Sequence, residues 1–405
     1  MLSVCLYFHV HQPYRVRRYR VFDIGNTSDY FSEKGENDLN NERILRKVAG
    51  KSYRPAGELF LELLERYPEL RLAFSFSGVV IEQLEQYAPD ILKLYQKMVK
   101  TGRVEIVGET YYHSLAFFHS LPEFERQVEQ HAKAIKRVFG IAPKVFRNTE
   151  LSYNNALGLW AEKKGYAAIL TEGWDYYLGW RSPAFVYKPP GDSDMKVLLK
   201  HYKLSDDIAF RFQDKGWAGW PVTADKFAHW VHAHHGNGQV VNLFMDYETF
   251  GEHNWVESGI FDFLRHLPAA LLSHPNTDFK KPSEVARSCD AVGVYDVPGV
   301  VTWADTERDL TAWMGNDLQR SALHEVYLLE KPILENGDRA LVEDWRRLQT
   351  SDHFYYMCTK WANDGDIHAY FSPYQSPYDA YIAFRNALED LKQRVGRQAE
   401  VVASV

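Results

Sequence analysis

Short apolar runs alternate with longer stretches of helical period along residues 1–250 of the chain. "SVCLYF" (3–8), "LRLAFSFS" (70–77), "VEIV" (104–107), "KVFRN" (144–148), "YAAILTEG" (166–173), "MKVLLKHYK" (195–203) and "QVVNLFMD" (239–246) each predict a strand. Between them lie helical patterns. Leu59, Leu63 and Leu64 share one face, and Ile91, Leu92, Tyr95, Met98 and Val99 make an apolar stripe that ends at Gly102. Ser120 and Glu123 have capping-box spacing with Pro122 in the first turn, and Val128, Ile135 and Val138 point inward before Gly140. A further helix around 156–164 stops at Gly165. Strands alternating with helices of this length predict an α/β fold with a parallel sheet and right-handed crossovers. Periodicity does not distinguish an open sheet from a closed barrel. From about residue 305 the strand signals fade, and 308–331, 340–350 and 379–395 all read as helices. This places a boundary within 270–305.

In parallel α/β sheets, ligands gather beyond the carboxyl ends of the strands, so the polar residues that follow each run matter. His9 and His11 follow the first strand at alternate positions. Glu109, Tyr111, Tyr112 and His113 follow the third, Glu150 the fourth, Glu172, Trp174 and Asp175 the fifth, and Asp246 and Glu248 the seventh. Arg147 lies close enough to Glu150 in sequence to hold a carboxylate in its charged form. Two carboxylates from different strands, facing one cleft, suit cleavage of a glycosidic bond. Retention needs them about 5–5.5 Å apart and inversion needs more. Each residue also has a plainer role. Histidines after a strand serve as core hydrogen bonders, a glutamate before a helix favours its N-terminus, and Glu252 belongs to a solvated loop. The tract "HWVHAHHGNG" (229–238) has metal-like density, but a helix ending before Gly236 explains it more simply.

Composition narrows the classes. The chain has 405 residues, 45% hydrophobic and 25% charged, with net charge −7 and so no basic footprint for nucleic acid. Cys5, Cys289 and Cys358 are scattered, which suggests neither a disulfide framework nor a thiolate metal site. The N-terminal apolar stretch is too short for a secretory signal, and no apolar run is long enough to span a membrane. A cytoplasmic enzyme is the expectation. Aromatic residues make up 15% of the chain, which suits sugar-stacking surfaces as well as cores.

Five stretches resemble the ordered sequence blocks of glycoside hydrolase family 57. They are "HVHQP" (9–13), "GRVEIVGETYYHSL" (102–115), "VFRNTEL" (145–151), "LFMDYETFGEH" (243–253) and "TAWMGNDLQRSAL" (311–323). The second and fourth most resemble the α-amylase-type members. The resemblance implies an incomplete seven-stranded parallel (β/α)7 barrel over 1–300, followed by a helical region over 301–405 that packs on the barrel and contributes to the cleft. It implies retaining attack on α-1,4-glucans or maltooligosaccharides, with Glu150 as nucleophile and Asp246 as acid/base. His9, His11 and His113 would line the subsite of the attacked sugar. Trp313 and Asp317, together with Trp174, Trp220 and Trp303, would form sugar-binding walls. Glu248, two residues beyond Asp246, is expected on the same face, where it would bind hydroxyls or tune the pair. This chemistry needs no metal or other cofactor.

Three other readings share these residues. A sugar acceptor in place of water makes the enzyme a 4-α-glucanotransferase. Recasting His9, His11 and Asp246 as ligands makes it a metal-dependent deacetylase or α-mannosidase-like hydrolase, which chelation would silence. A glucan-binding relative without activity would bind maltooligosaccharides and yield no product.

Overall fold

The computed structural model describes residues 1–360 and 363–403. Eight strands form: β1 (Leu2–Val10), β2 (Leu72–Phe76), β3 (Val104–Ile106), β4 (Val145–Arg147), β5 (Ala168–Glu172), β6 (Lys196–Lys200), β7 (Val240–Asp246) and β8 (Thr277–Phe279). Seven coincide with the expected runs. β8 was not expected, because three residues with a polar centre, "TDF", carry no periodicity. All ladders are parallel. One sheet runs β3-β2-β1-β7 with β8 also on β1, and the other runs β4-β5-β6.

The two sheets meet at both edges. Beyond β3, a parallel bridge joins Gly108 to Phe146 of β4. At the other edge Asn242 of β7 donates its side-chain amide to the Leu199 carbonyl at 2.9 Å and accepts from the His201 amide at 2.9 Å. Asn242 is wholly buried, and its side-chain N–H and its main-chain carbonyl each bridge to the β6 end.

Strands buried on both faces read as continuous apolar runs, and β1 is buried along its whole length. Its two faces still differ, with period 2. Cys5 and Tyr7 join Ala73, Val145, Leu170, Leu198 and Phe244 in an inner cluster. Phe8 faces the other way, packing on Phe60 of the helix Arg54–Arg66 (ring centroids 5.1 Å) and on Phe250 (5.5 Å). The helix Pro89–Lys100 buries the five residues its spacing picked out.

The described residues group into two compact units. The first holds Met1–His11, Arg46–Glu109 and Glu129–Trp303, with every strand. The second holds Gln12–Leu45, Thr110–Val128 and Ala304–Val405. Specific bonds draw the two early segments of the second unit to its late helices. Asp390 accepts from Tyr30 Oη and the Gly25 amide, both at 2.6 Å. Glu123 takes Arg346 at 2.7 Å, and Thr350 Oγ1 donates to the Tyr112 carbonyl at 2.9 Å. The expected capping box is therefore only half realised. Ser120 Oγ accepts from the Glu123 amide at 3.2 Å, while the Glu123 carboxylate holds Arg126, Gln127 and Arg346.

Asp305, also in the second unit, has φ +56°, a conformation Asp tolerates better than most residues. Its buried carboxylate pairs with Lys360 Nζ at 2.7 Å and with His368 Nε2 at 3.1 Å. Burial pulls His368 down, but Asp305 outweighs it and lifts the imidazole to about 9.

Two outcomes follow from these contacts. Gly251, just past β7, has φ +108°, and a Cβ there would sit 2.0 Å from the Lys51 carbonyl oxygen. Gly251→Ala should cost about 2–4 kcal/mol, read as a lower urea midpoint; an unchanged midpoint would refute the close approach. The second outcome concerns pH. A histidine held above its usual 6.5 contributes stability that is complete below that value and lost as pH rises through about 9. In thermal melts, His368→Gln should be destabilised most at mildly acidic pH, and its gap to wild type should narrow as pH rises through 9. A gap that widens with pH would contradict the ion pair.

Candidate active site

Within the first unit, the ends of β1, β3, β4, β6 and β7 carry a buried polar network. Its centre is Arg147, the last residue of β4, which is fully buried. The guanidinium lies 3.4 Å from Glu109 Oε2, and Glu109 is buried as completely. Burial pulls the guanidinium down. Electrostatic attraction from Tyr7, Glu109, Glu150 and Asp246, of which the phenol is neutral at ordinary pH, outweighs that pull, and the net shift is upward. Glu150 and Asp246 thus act on one buried cation.

His9 lies on the inner face of β1, in register with Asp246 of β7 and Ser75 of β2. Its Nδ1 is 2.8 Å from Ser75 Oγ and 3.5 Å from Glu109 Oε1. Ser75 Oγ also meets Tyr7 Oη at 2.6 Å, and burial drives the Tyr7 phenol well above its usual value. The His11 ring stacks on His9 with centroids 5.7 Å apart, and its Nδ1 meets Ser77 Oγ at 2.6 Å. Alternation along the strand thus brings the two histidines together, and the small polar residues of "LAFSFS" orient them.

Glu150 occupies a left-handed position, φ 61° and ψ 28°, within the short turn Thr149–Leu151, and Leu151 follows at φ 50°. Such conformations in non-glycine residues persist where their surroundings over-determine them. Here Asn148 Nδ2 donates to Ser152 Oγ, which donates to the Thr149 carbonyl. Val301 and Tyr153 exchange backbone bonds at 2.9 and 3.0 Å, and the Trp303 amide reaches the Glu150 carbonyl at 3.2 Å. Glu150 Oε2 accepts from Trp303 Nε1 at 2.8 Å. Asp246 ends β7 in an extended conformation, half-buried.

Glu172 is buried at the end of β5, 3.5 Å from Lys200 Nζ, and Lys200 also pairs with Asp206 at 2.9 Å. Lys200 was not among the expected site residues. Its signal was a lysine closing the apolar run Val197, Leu198 and Leu199.

The remaining expected residues lie as follows. β7 stops at Asp246, and Tyr247–Thr249 turns helical, so the alternation expected to put Glu248 beside Asp246 does not extend that far. Glu248 is buried and accepts from Tyr53 Oη. Glu252 pairs with Lys47 at 2.7 Å. Trp174 stacks on Tyr176, and Trp220 is partly exposed beside Lys215. In the second unit His113 has φ 51°, and its carbonyl accepts from the Ser351 amide. Trp313 is 1% exposed against Tyr355, a core position rather than an open wall. Asp317 opens the helix Asp317–Leu328, its side chain 98% exposed and paired with Arg320. In the 229–238 tract, His232 bonds the Leu271 carbonyl and His235 bonds Thr277 Oγ1.

Comparison with known proteins adds a family. The sequence profile of glycosyl hydrolase family 57 matches residues 5–298. A "Putative alpha-amylase" of Methanocaldococcus jannaschii is 41% identical over 396 residues, 95% of this chain and 83% of that protein. A 4-alpha-glucanotransferase of Thermococcus litoralis is 33% identical over 86 residues, 21% of this chain and 12% of that one. Among solved structures, a GH57-type branching enzyme of Pyrococcus horikoshii superposes with TM-score 0.67 at 14% identity, covering 91% of this chain and 87% of that one. The T. litoralis 4-alpha-glucanotransferase superposes at TM-score 0.63 and 17% identity, over 87% of this chain but 56% of that one. At these identities the superpositions establish the α/β fold alone. Among the described residues no helix is long and apolar enough to cross a membrane.

Removing the central cation isolates its weight. Arg147→Met strands Glu109 in the interior, so it should cost about 3–5 kcal/mol in denaturant unfolding. A loss below about 1 kcal/mol would mean the guanidinium balances no buried charge.

Proposed function

This chain belongs to glycosyl hydrolase family 57, and from that premise we propose that it cleaves α-1,4-glucans with retention, Glu150 acting as nucleophile and Asp246 as acid/base. The observation that carries the reading is that Glu150 and Asp246 are both tied to the buried His9, Glu150 through Trp303 and Asp246 through strand register. Register supports it, since His9 pairs with Asp246 across β1 and β7 and its ring meets the Trp303 indole edge-on at 6.4 Å. Trp303 in turn holds Glu150.

On this reading Glu150 attacks the anomeric carbon while Asp246 protonates the departing glycosidic oxygen. The C–O bond to the leaving sugar breaks as the bond to the Glu150 oxygen forms, with inversion. Asp246, now a carboxylate, takes a proton from the incoming hydroxyl, and a second inversion releases the product. Water yields hydrolysis. A second sugar's hydroxyl yields a 4-α-glucanotransferase, and the relative bearing that name keeps this second reading open. We read the seven strands β1–β7, met at both edges, as the incomplete (β/α)7 barrel that frames this site, with the helices from 301 on as a separate region. Maltooligosaccharides are the proposed substrates and the cytoplasm the proposed location.

The test is a defined maltooligosaccharide followed by chromatography. Shorter products alone would mean hydrolysis, and longer ones would mean transfer. Glu150→Gln should lower turnover by about 10³-fold or more with an unchanged circular dichroism spectrum. In Glu150→Gly, azide should restore turnover and yield a glycosyl azide of inverted configuration. Near-normal turnover in Glu150→Gln would remove the nucleophile assignment.

A further inference from the structure

We infer that Trp303 is the positioning residue of Glu150, held in place by Arg147 and Lys200, rather than a platform on which sugar stacks; this rests on Glu150 being the nucleophile. The indole nitrogen donates and cannot accept. Its bond to Glu150 Oε2 at 2.8 Å therefore favours the anion that attacks, and charge assistance makes such a bond stronger than a neutral one. The backbone works in the same direction, since the Trp303 amide bonds the Glu150 carbonyl. Side chain and main chain of one residue thus grip the left-handed turn twice.

The ring is itself fixed. Arg147 Cζ lies 5.5 Å and Lys200 Nζ 5.7 Å from its centroid. Both cations are buried, so the cation–π attraction acts with little competition from water. Lys200 is anchored by Asp206 and Glu172. Strand ends β4, β5 and β6 are thereby coupled through one aromatic ring to the carboxylate of Glu150. A sugar stacking on that ring face would compete with the two cations.

The charged and titratable groups linked to Glu150 through Arg147 and Trp303 are Glu109, His9, Asp246, Lys200 and Glu172. Removing the indole donor should therefore move the Glu150 titration upward. Trp303→Phe keeps the ring and its cations and deletes the N–H. Its kcat on a maltooligosaccharide should fall about 10–100-fold with KM nearly unchanged, and the acidic limb of kcat/KM should shift toward neutral pH. Lys200→Met should shift that limb the same way by a smaller amount, and it provides the measurement if Trp303→Phe does not fold. Raised KM with kcat and the acidic limb intact would make Trp303 a sugar contact and overturn the inference. Wild-type kinetics in both variants would overturn it too. Wild-type turnover and the loss in Glu150→Gln are read first. If either fails, the catalytic assignment falls and takes this inference with it. If both hold, the Trp303 result stands alone.

Discussion

A guanidinium with no access to water constrains everything around it. Desolvating such a charge costs several kcal/mol even after relaxation, and the cost is offset only by anions and acceptors held in good geometry. Arg147 meets this requirement with Glu109 on the next strand end, and through longer-range attraction with Glu150 and Asp246. No single strand supplies that set. β3, β4 and β7 lie in two sheets, and the edges must meet before their ends can face one cation. The folding constraint and the chemical arrangement are therefore one demand, since the strand order that buries Arg147 safely also assembles the carboxylates.

The fold was legible where burial and period coincide. β1 and β5–β7 carry mostly apolar residues and are buried along nearly their whole length, and the helix Pro89–Lys100 buries the stripe its spacing marked. β8 escaped because it owes its existence to β1's free edge and not to its own residues. The grouping of 12–45 and 110–128 with the last hundred residues was equally invisible. It depends on single polar pairs such as Tyr30 with Asp390, some 360 positions apart.

The site was legible in part, for reasons specific to each residue. Alternation brought the His9 and His11 rings together, although β1 ends at Val10 and His11 lies one residue beyond it. The same rule failed for Glu248 because β7 ends at Asp246, two residues before it, and the chain then turns helical. Trp313 and Asp317 were chosen from a sequence block, and burial and exposure then put one in a core and the other in solvent. Arg147 was marked only as a neighbour able to keep Glu150 charged, and Lys200 was not marked at all. Their weight appears only once burial is known. The left-handed Glu150 carries no sequence signature at all, because the conformation is imposed by its neighbours and not preferred by glutamate.

Counting the charges at the strand ends adds one more step. Arg147 and Lys200 are the fixed cations. Glu109, Glu150, Glu172, Asp206 and Asp246 are the acids near them. Among these groups the carboxyls outnumber the cations. A site of that balance, walled by low-dielectric strand cores, would repel a developing anion and stabilise a developing cation. Glycosidic cleavage passes through a sugar that carries positive charge. The surplus of negative charge therefore supports glycosyl transfer over reactions that build an oxyanion, and it does so independently of which carboxylate attacks.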